Sequence, residues 1–271
     1  MKFRKLLLTA LCGISLAGGL TACDSDTIKI GILQPVEHNA LGAARDGFKE
    51  GISEVLGDKK FVFKYLNAGG DDASLQTCAA NLVDECDLTF GIGTGAAQAL
   101  KNTSTSKGYD KPVIFSAVTD PVDAGLVVNK DAPEGFVTGT SDMNPVTDQI
   151  ELIKEIIPGV SKIGIMYTQS EVNSVVQSNM AKAKAEEMGI TVDVKTCTNT
   201  SDITSTASAL VIDGVQAIYL PTDNNVAANM NYVAAAVREK GILVVTGEEG
   251  MLNNGGQITL SISYTNLGKR T

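Results

Sequence analysis

The chain has 271 residues, 44% of them hydrophobic and 20% charged, and its 22 lysines and arginines stand against 31 acids for a net charge of −9. That length gives room for two ordinary domains with real cores, and the absence of low-complexity tracts and long charge runs excludes wholesale disorder. An acidic body argues against a nucleic-acid partner and against a surface that grips anionic lipid.

The first 22 residues read as a leader. Lys2, Arg4 and Lys5 make a basic start, an apolar stretch runs over 6–19, and the segment ends in Leu20-Thr21-Ala22-Cys23. The apolar run is too short to span a bilayer comfortably. The tetrapeptide resembles the lipobox of bacterial lipoproteins, which implies cleavage before Cys23 and a diacylglyceryl group on its thiol. Removing 1–22 takes away three positive charges and no acids, so −9 becomes −12. Membrane attachment would then come from acyl chains.

Beyond Cys23 apolar strands alternate with amphipathic helices. A strand is predicted over 28–33, followed by a helix whose Leu41, Ala44, Phe48, Ile52 and Val55 recur at three- and four-residue steps. A strand at 61–66, a helix at 73–84, a strand at 88–92, a helix at 95–106 and a strand at 113–118 continue the series. The alternation predicts a mostly parallel sheet with helices on both faces. It restarts after about residue 142. Val146, Ile150, Ile153 and Ile157 form a helical stripe, a strand follows at 163–167 and a long helix at 171–188. Val192 and Val194, then 202–212, 217–220, a helix at 224–239 and a strand at 242–246 complete the second series. The end reads as a strand at 258–262 and the first turns of a helix at 264–271.

Lys29-Ile30-Gly31-Ile32 recurs as Lys162-Ile163-Gly164-Ile165, and Thr94 and Asp120 correspond to Thr222 and Glu248 at a constant offset. The chain therefore holds two similar α/β halves. In parallel α/β sheets ligands bind beyond the carboxyl ends of the strands. Two such edges facing each other across a hinge make one cleft that can shut on a small molecule. The expected units are 28–141 plus 250–271, and 142–249.

No catalytic or cofactor chemistry stands out. His38 is the one histidine, so no Ser-His-Asp set can be built, and no metal-ligand spacing occurs. Gly91, Gly93 and Ala96 match a dinucleotide fingerprint, but on the third strand of their half and without the acidic partner that would grip a ribose. Neither an enzyme nor a cofactor is expected. Cys78, Cys86 and Cys197 read as ordinary thiols, because Cys78 and Cys86 on one straight helix would sit about 12 Å apart, too far for a disulfide.

Polar residues gather at the strand ends. Six segments in this order resemble the ABC transporter substrate-binding lipoproteins of the tryptophan and aromatic amino-acid uptake family. They are Gln34-Pro35-Val36-Glu37-His38, Gly93-Thr94 with Ala96-Ala97-Gln98-Ala99-Leu100, Thr119-Asp120-Pro121, Ser170-Glu171 with Asn173-Ser174, Pro221-Thr222-Asp223-Asn224, and Glu249-Gly250-Met251. The resemblance covers residue 28 to the end. It departs at Gly95, where the family often has proline, and at Thr168-Gln169, where it has an asparagine-proline pair. It implies a type I periplasmic-binding-protein clamp: an exported protein, lipid-anchored outside the cytoplasmic membrane, that passes ligand to ABC permease and ATPase subunits. In the family a fuller helix and a third crossing would follow residue 271, so a shortened C-terminus is expected.

Amino-acid capture suits these residues. The turn Thr94-Gly95-Ala96 opens a helix and can hold a carboxylate on its free N–H groups, with Ser116 and Thr119 as added hydroxyls. Asp142, Asp223 or Glu249 can accept from an ammonium, and Asn173, Ser174 and Asn224 can close from the other half. Tyr167 offers aromatic surface to the side chain. Gln34, Glu37, Asp120, Ser141, Glu171, Thr222 and Glu248 complete the expected rim. Against this, Asp and Asn after strands are common turn and cap residues, Asp142 can be a hinge turn, and Glu37-His38 a solvated loop. A nucleoside, a sugar or a branched amino acid are the alternative ligands, and a sensor subunit without transport the alternative role.

Overall fold

The computed structural model describes residues 27–271, so the leader and Cys23 lie outside the described residues. The first half runs β1 (Ile28–Gln34), α1 (Asn39–Leu56), β2 (Phe61–Asn67), α2 (Asp72–Glu85), β3 (Leu88–Ile92), α3 (Thr94–Lys107), β4 (Val113–Val118) and β5 (Val137–Ser141). Its five strands are parallel in the order β2-β1-β3-β4-β5. The second half runs α4 (Val146–Ile156), β6 (Lys162–Thr168), α5 (Val172–Glu187), β7 (Thr191–Cys197), α6 (Ile203–Ile212), β8 (Ala217–Leu220), α7 (Asn224–Ala228), α8 (Met230–Val237), β9 (Leu243–Thr246) and β10 (Ile258–Thr259). Its order, β7-β6-β8-β9-β10, reproduces the first strand for strand, so the repeat seen in the sequence is a repeat of topology.

Each sheet is covered on both faces. In the first, Leu82, Leu100 and Phe115 pack on one side and Phe48, Phe90 and Tyr264 on the other. In the second, Leu210 and Met230 pack on one side and Ile150 and Tyr219 on the other. Burial on both faces is why β8 reads as an unbroken apolar run rather than an alternating one.

Three expectations change. The helix at 224–239 is broken at Asn229, whose Nδ2 donates to the Asn225 carbonyl at 2.9 Å and competes with the backbone ladder. The boundary at 250 also moves. Ile258 and Thr259 pair in parallel with Val245 and Thr246 of β9, so 250–259 stay with the second sheet and the chain returns only at 260–263. The strand expected at 258–262 is two residues long.

After this return, α9 (Tyr264–Arg270) lies across α1. Glycines permit the approach. A Cβ on Gly47 would collide with the Thr265 carbonyl, and one on Gly268 with that of Ala44. Lys269 pairs with Glu50 and Glu54 at 2.8 and 2.7 Å.

The two crossings are tied together. Asn144 donates to the Asp142 carbonyl at 3.0 Å and to the Tyr264 hydroxyl at 3.1 Å, and accepts from the Ile262 N–H at 3.1 Å. Gln149 donates to the carbonyls of Gly247 and Leu260. Cys78, Cys86 and Cys197 are free thiols, the first half-buried and the others buried.

Candidate functional site

The carboxyl ends of the two sheets face each other, and the units are shut. His38 Nε2 lies 3.1 Å from Asn224 Oδ1, Asn39 donates to the Gly250 carbonyl at 3.4 Å, and the Thr119 and Thr222 hydroxyls meet at 3.5 Å. Between the units is a cleft of about 620 Å³, walled on one side by Pro35, Leu75, Thr94, Gly95 and Gln98 and on the other by Ser170, Glu171, Val172, Asn173 and Asn224. Deeper in, toward the crossings, is a void of about 10 Å³ lined by His38, Ala117, Thr119, Asp142, Glu248 and Tyr264 among others. That is room for one water-sized group. Asn173 and Asn224 border both spaces.

Thr94 and Gly95 open α3 directly after β3. Gly93 takes φ +87°, a conformation glycine adopts without strain. The Thr94 hydroxyl is buried without a partner at the cleft wall. Ala96, expected beside them, turns into the first core because the helix carries it to the opposite face. Thr119 lines the inner void and receives the Gln177 amide at 3.4 Å.

Other expected residues serve local structure. Gln34 and Glu37 join Arg45 and Tyr65 in a network beside the cleft, with Arg45 Nη1 3.1 Å from Glu37 and 3.2 Å from Gln34. Ser116 meets Thr140 and receives the Thr271 hydroxyl at 3.0 Å. Asp120 accepts from the N–H groups of Val122 and Asp123, an Asx turn. Ser141 and Glu249 are exposed, and Tyr167 packs into the second core rather than facing ligand. None of these lines either space.

In the second unit the polar residues form a preset lattice. Asp223 accepts from the Thr168 N–H and hydroxyl, the Ser174 hydroxyl and the Val226 N–H, at 2.6 to 3.0 Å. These four bonds occupy the carboxylate expected to meet an ammonium. Glu171 accepts from the Asn224 N–H and side-chain amide, the Asn225 N–H and the Asn173 amide, at 2.8 to 3.0 Å. Burial, with the charge of Asp223, pushes the Glu171 carboxyl up to about 8 against those donors. Thr222 is fixed by its N–H to Gln177 at 2.8 Å, and its carbonyl accepts from Asn173 at 2.7 Å.

Two acids at the inner void are only half satisfied. Asp142 accepts from the Tyr264 hydroxyl at 2.8 Å through Oδ2, and Oδ1 has no partner. Thr119 lies near enough to favour the ionised form, but no hydrogen bond of acceptable geometry reaches Oδ1. Glu248 caps a short 3₁₀ turn by accepting from the Gly250 N–H through Oε2, and Oε1 is unpartnered. Burial pushes Asp142 up to about 6 and Glu248 up to about 7. Desolvation takes His38 the other way, down to about 4, so its imidazole is neutral.

Sequence reasoning missed His38, Ala117, Gln177 and Tyr264. Ala117 holds φ +55°, strained for a residue with a Cβ, where the pairing of β4 with β5 slips between Phe115 and Val118. Nothing in an alanine announces that. His38 had a legible signal, a lone histidine after a strand end, but read as a solvated loop.

Residues 29–271 match the model of the ABC transporter substrate binding protein family. A Tyrosine-binding protein of Clostridioides difficile is 32% identical over 98% of this chain and 81% of its own length. A Streptococcus pneumonia ABC domain solved in complex with L-Trp is 36% identical, with a TM-score of 0.85 over 90% of this chain and 81% of that one. The ligand-free, open structure of a Clostridium difficile substrate binding protein with adhesive properties is 38% identical, yet its TM-score is 0.62 over 90% and 82%. The fold is that of two-domain, type I periplasmic-binding-protein clamps. The chain belongs to the ABC transporter substrate-binding proteins, a family of solute binders. Its two units are arranged more like the L-Trp complex than like the open relative.

Proposed function

We propose that this protein captures an aromatic amino acid in its interdomain cleft and hands it to the permease of an ABC importer, without chemistry of its own. The units 28–141 plus 260–271, and 142–259, would move as two bodies about the crossings. Cys23, outside the described residues, would carry the lipid anchor on the outer face of the membrane. Among the described residues no helix is long and apolar enough to cross a bilayer.

The observation that carries the ligand assignment is the opening of α3. Thr94 and Gly95, in the first turn of α3, wall a cleft large enough for an aromatic side chain, and the Thr94 hydroxyl has no partner. A helix start of this kind favours a carboxylate. The cleft walls add apolar Pro35, Leu75 and Val172 for the ring. The relatives named for tyrosine and solved with L-Trp support the same ligand class.

The chain has no tryptophan and six tyrosines, which gives a clean test. Excited at tyrosine wavelengths, the free protein emits as tyrosine. L-tryptophan in a dry cleft quenches that emission by energy transfer and gains its own blue-shifted fluorescence. If a nucleoside or sugar raises the melting temperature and no aromatic amino acid does, the ligand assignment is wrong.

A further inference from the structure

The inner void holds two carboxylates on the second unit's side of the hinge, and His38, Ala117, Thr119 and Tyr264 of the first unit close over it. Asp142 stands on the outgoing crossing, and Glu248 caps the turn after β9 in the second unit. They are 3% and 2% exposed, and each leaves one oxygen without a partner in the same void.

The surroundings supply no positive charge. Tyr264 from α9, His38 from the β1–α1 loop and Asp223 before α7 line the void, and Glu249 adds its charge from the next position. No lysine or arginine lines it. Tyr264 donates one hydrogen bond, and His38 is neutral above about pH 4. Two ionised carboxylates shut into a dry space repel each other and lose their hydration. Burial raises the affinity of both for a proton, and the charge of Asp142 adds to that effect at Glu248.

We propose that Asp142 and Glu248 together form the subsite for the ligand's ammonium group, and that the clamp shuts over them only when a positive charge, the ammonium or a proton, is supplied there. This rests on reading the ligand as an amino acid. The ammonium donates to Oδ1 of Asp142 and Oε1 of Glu248, and both acids stay ionised. A ligand without the amine leaves the pair bare, so closure over it takes one proton from solvent onto the pair. Selection for amino acids over their desamino analogues therefore strengthens as pH rises through the range set by the buried pair. His38 is desolvated equally with either ligand, so it cancels from the ratio of affinities.

The experiment is calorimetric titration of the protein with L-tryptophan and with indole-3-propionate, which lacks only the amine. The ratio of affinities should widen at least about tenfold between about pH 5.5 and about pH 8, as the linkage of one proton requires. Binding of the analogue should take up a proton, read from the dependence of its heat on buffer ionisation. In Glu248→Gln the widening should shrink, because only the buried Asp142 is left to draw a proton. Asp142→Asn repeats the test if that variant does not fold, as judged by its melting curve. A wild-type ratio that is flat with pH overturns the proposal and leaves the ligand reading standing. So does failure of the analogue to bind at about pH 5.5 where L-tryptophan binds. No binding of L-tryptophan or L-tyrosine at any pH removes the ligand reading and the proposal with it.

Discussion

The Tyr264 hydroxyl donates to Asp142 Oδ2 at 2.8 Å, joining the first residue of α9 to the crossing that leaves the first unit. Both residues are buried, and Asn144 donates to the same hydroxyl at 3.1 Å. The wall of the inner void is thus also the clasp between the two crossings. A group seated against Asp142 acts on the hinge directly rather than through a chain of packed intermediates.

Tyr264→Phe removes the clasp without emptying the core. It leaves Asp142 with no geometric donor and orphans one Asn144 bond, a loss of roughly 1–3 kcal/mol. Chemical denaturation should show it. The Asp142 carboxyl should also titrate higher, because the tyrosine bond favours its ionised form.

Gly268→Ala tests the docking of α9 on α1. The added Cβ meets the Ala44 backbone, which cannot yield as a flexible side chain could. The helices must part, at roughly 1–3 kcal/mol, the usual range for overpacking. An unchanged midpoint in urea would refute this contact.

Glu171→Ala should loosen the turn at 222–225, which Glu171 holds through three N–H donors while a fourth comes from Asn173 on α5. Hydrogen bonds of this kind contribute about 0.5–1.5 kcal/mol each, more where the carboxyl is ionised, and they are not additive. L-tryptophan affinity should fall at least about tenfold with the fold intact. Asn173 and Asn224 lose their orientation in the same change, so adding Asn224→Ala should cost less than it does alone.

His38 sets a limit on the acid side. Its value in the shut clamp lies below the ordinary 6.5, at about 4, because burial disfavours the imidazolium. The clamp therefore binds fewer protons than the open chain between those values. This contribution is present above about pH 6.5 and is lost as pH falls toward 4, at no more than about 1.4 kcal/mol per pH unit. Asp142 and Glu248 act in the opposite sense, losing stability as pH rises through 6 and 7. Between about pH 4 and 6.5 the two effects offset each other, so melting curves of His38→Asn should fall more steeply with rising pH across that range than those of the parent.

Cys23→Ser should leave the precursor uncleaved or release the protein from the membrane, as fractionation and immunoblotting would show. A variant processed and retained like the parent removes the lipobox reading.

By itself the sequence determined the architecture. Runs such as Ile28–Leu33 and Ile163–Tyr167 are local signals, since strand and helix periods are written in the order of apolar residues. The repeated Lys-Ile-Gly-Ile announced two equivalent halves. It also placed the polar segments at the strand ends, and Thr94, Asp142 and Asn173 do border the cleft or its inner void. Only the tertiary structure decided which of those polar groups are spent and which are free. Asp223 and Glu248 look alike at a strand end, yet Asp223 accepts four hydrogen bonds and Glu248 keeps one oxygen bare. That difference comes from neighbours tens of residues away, as do the strain at Ala117, the meeting of His38 with Asn224, and the return of the chain after Thr259 rather than at 250. Hydrogen-bond saturation is a property of three-dimensional company, and residue type and spacing do not encode it.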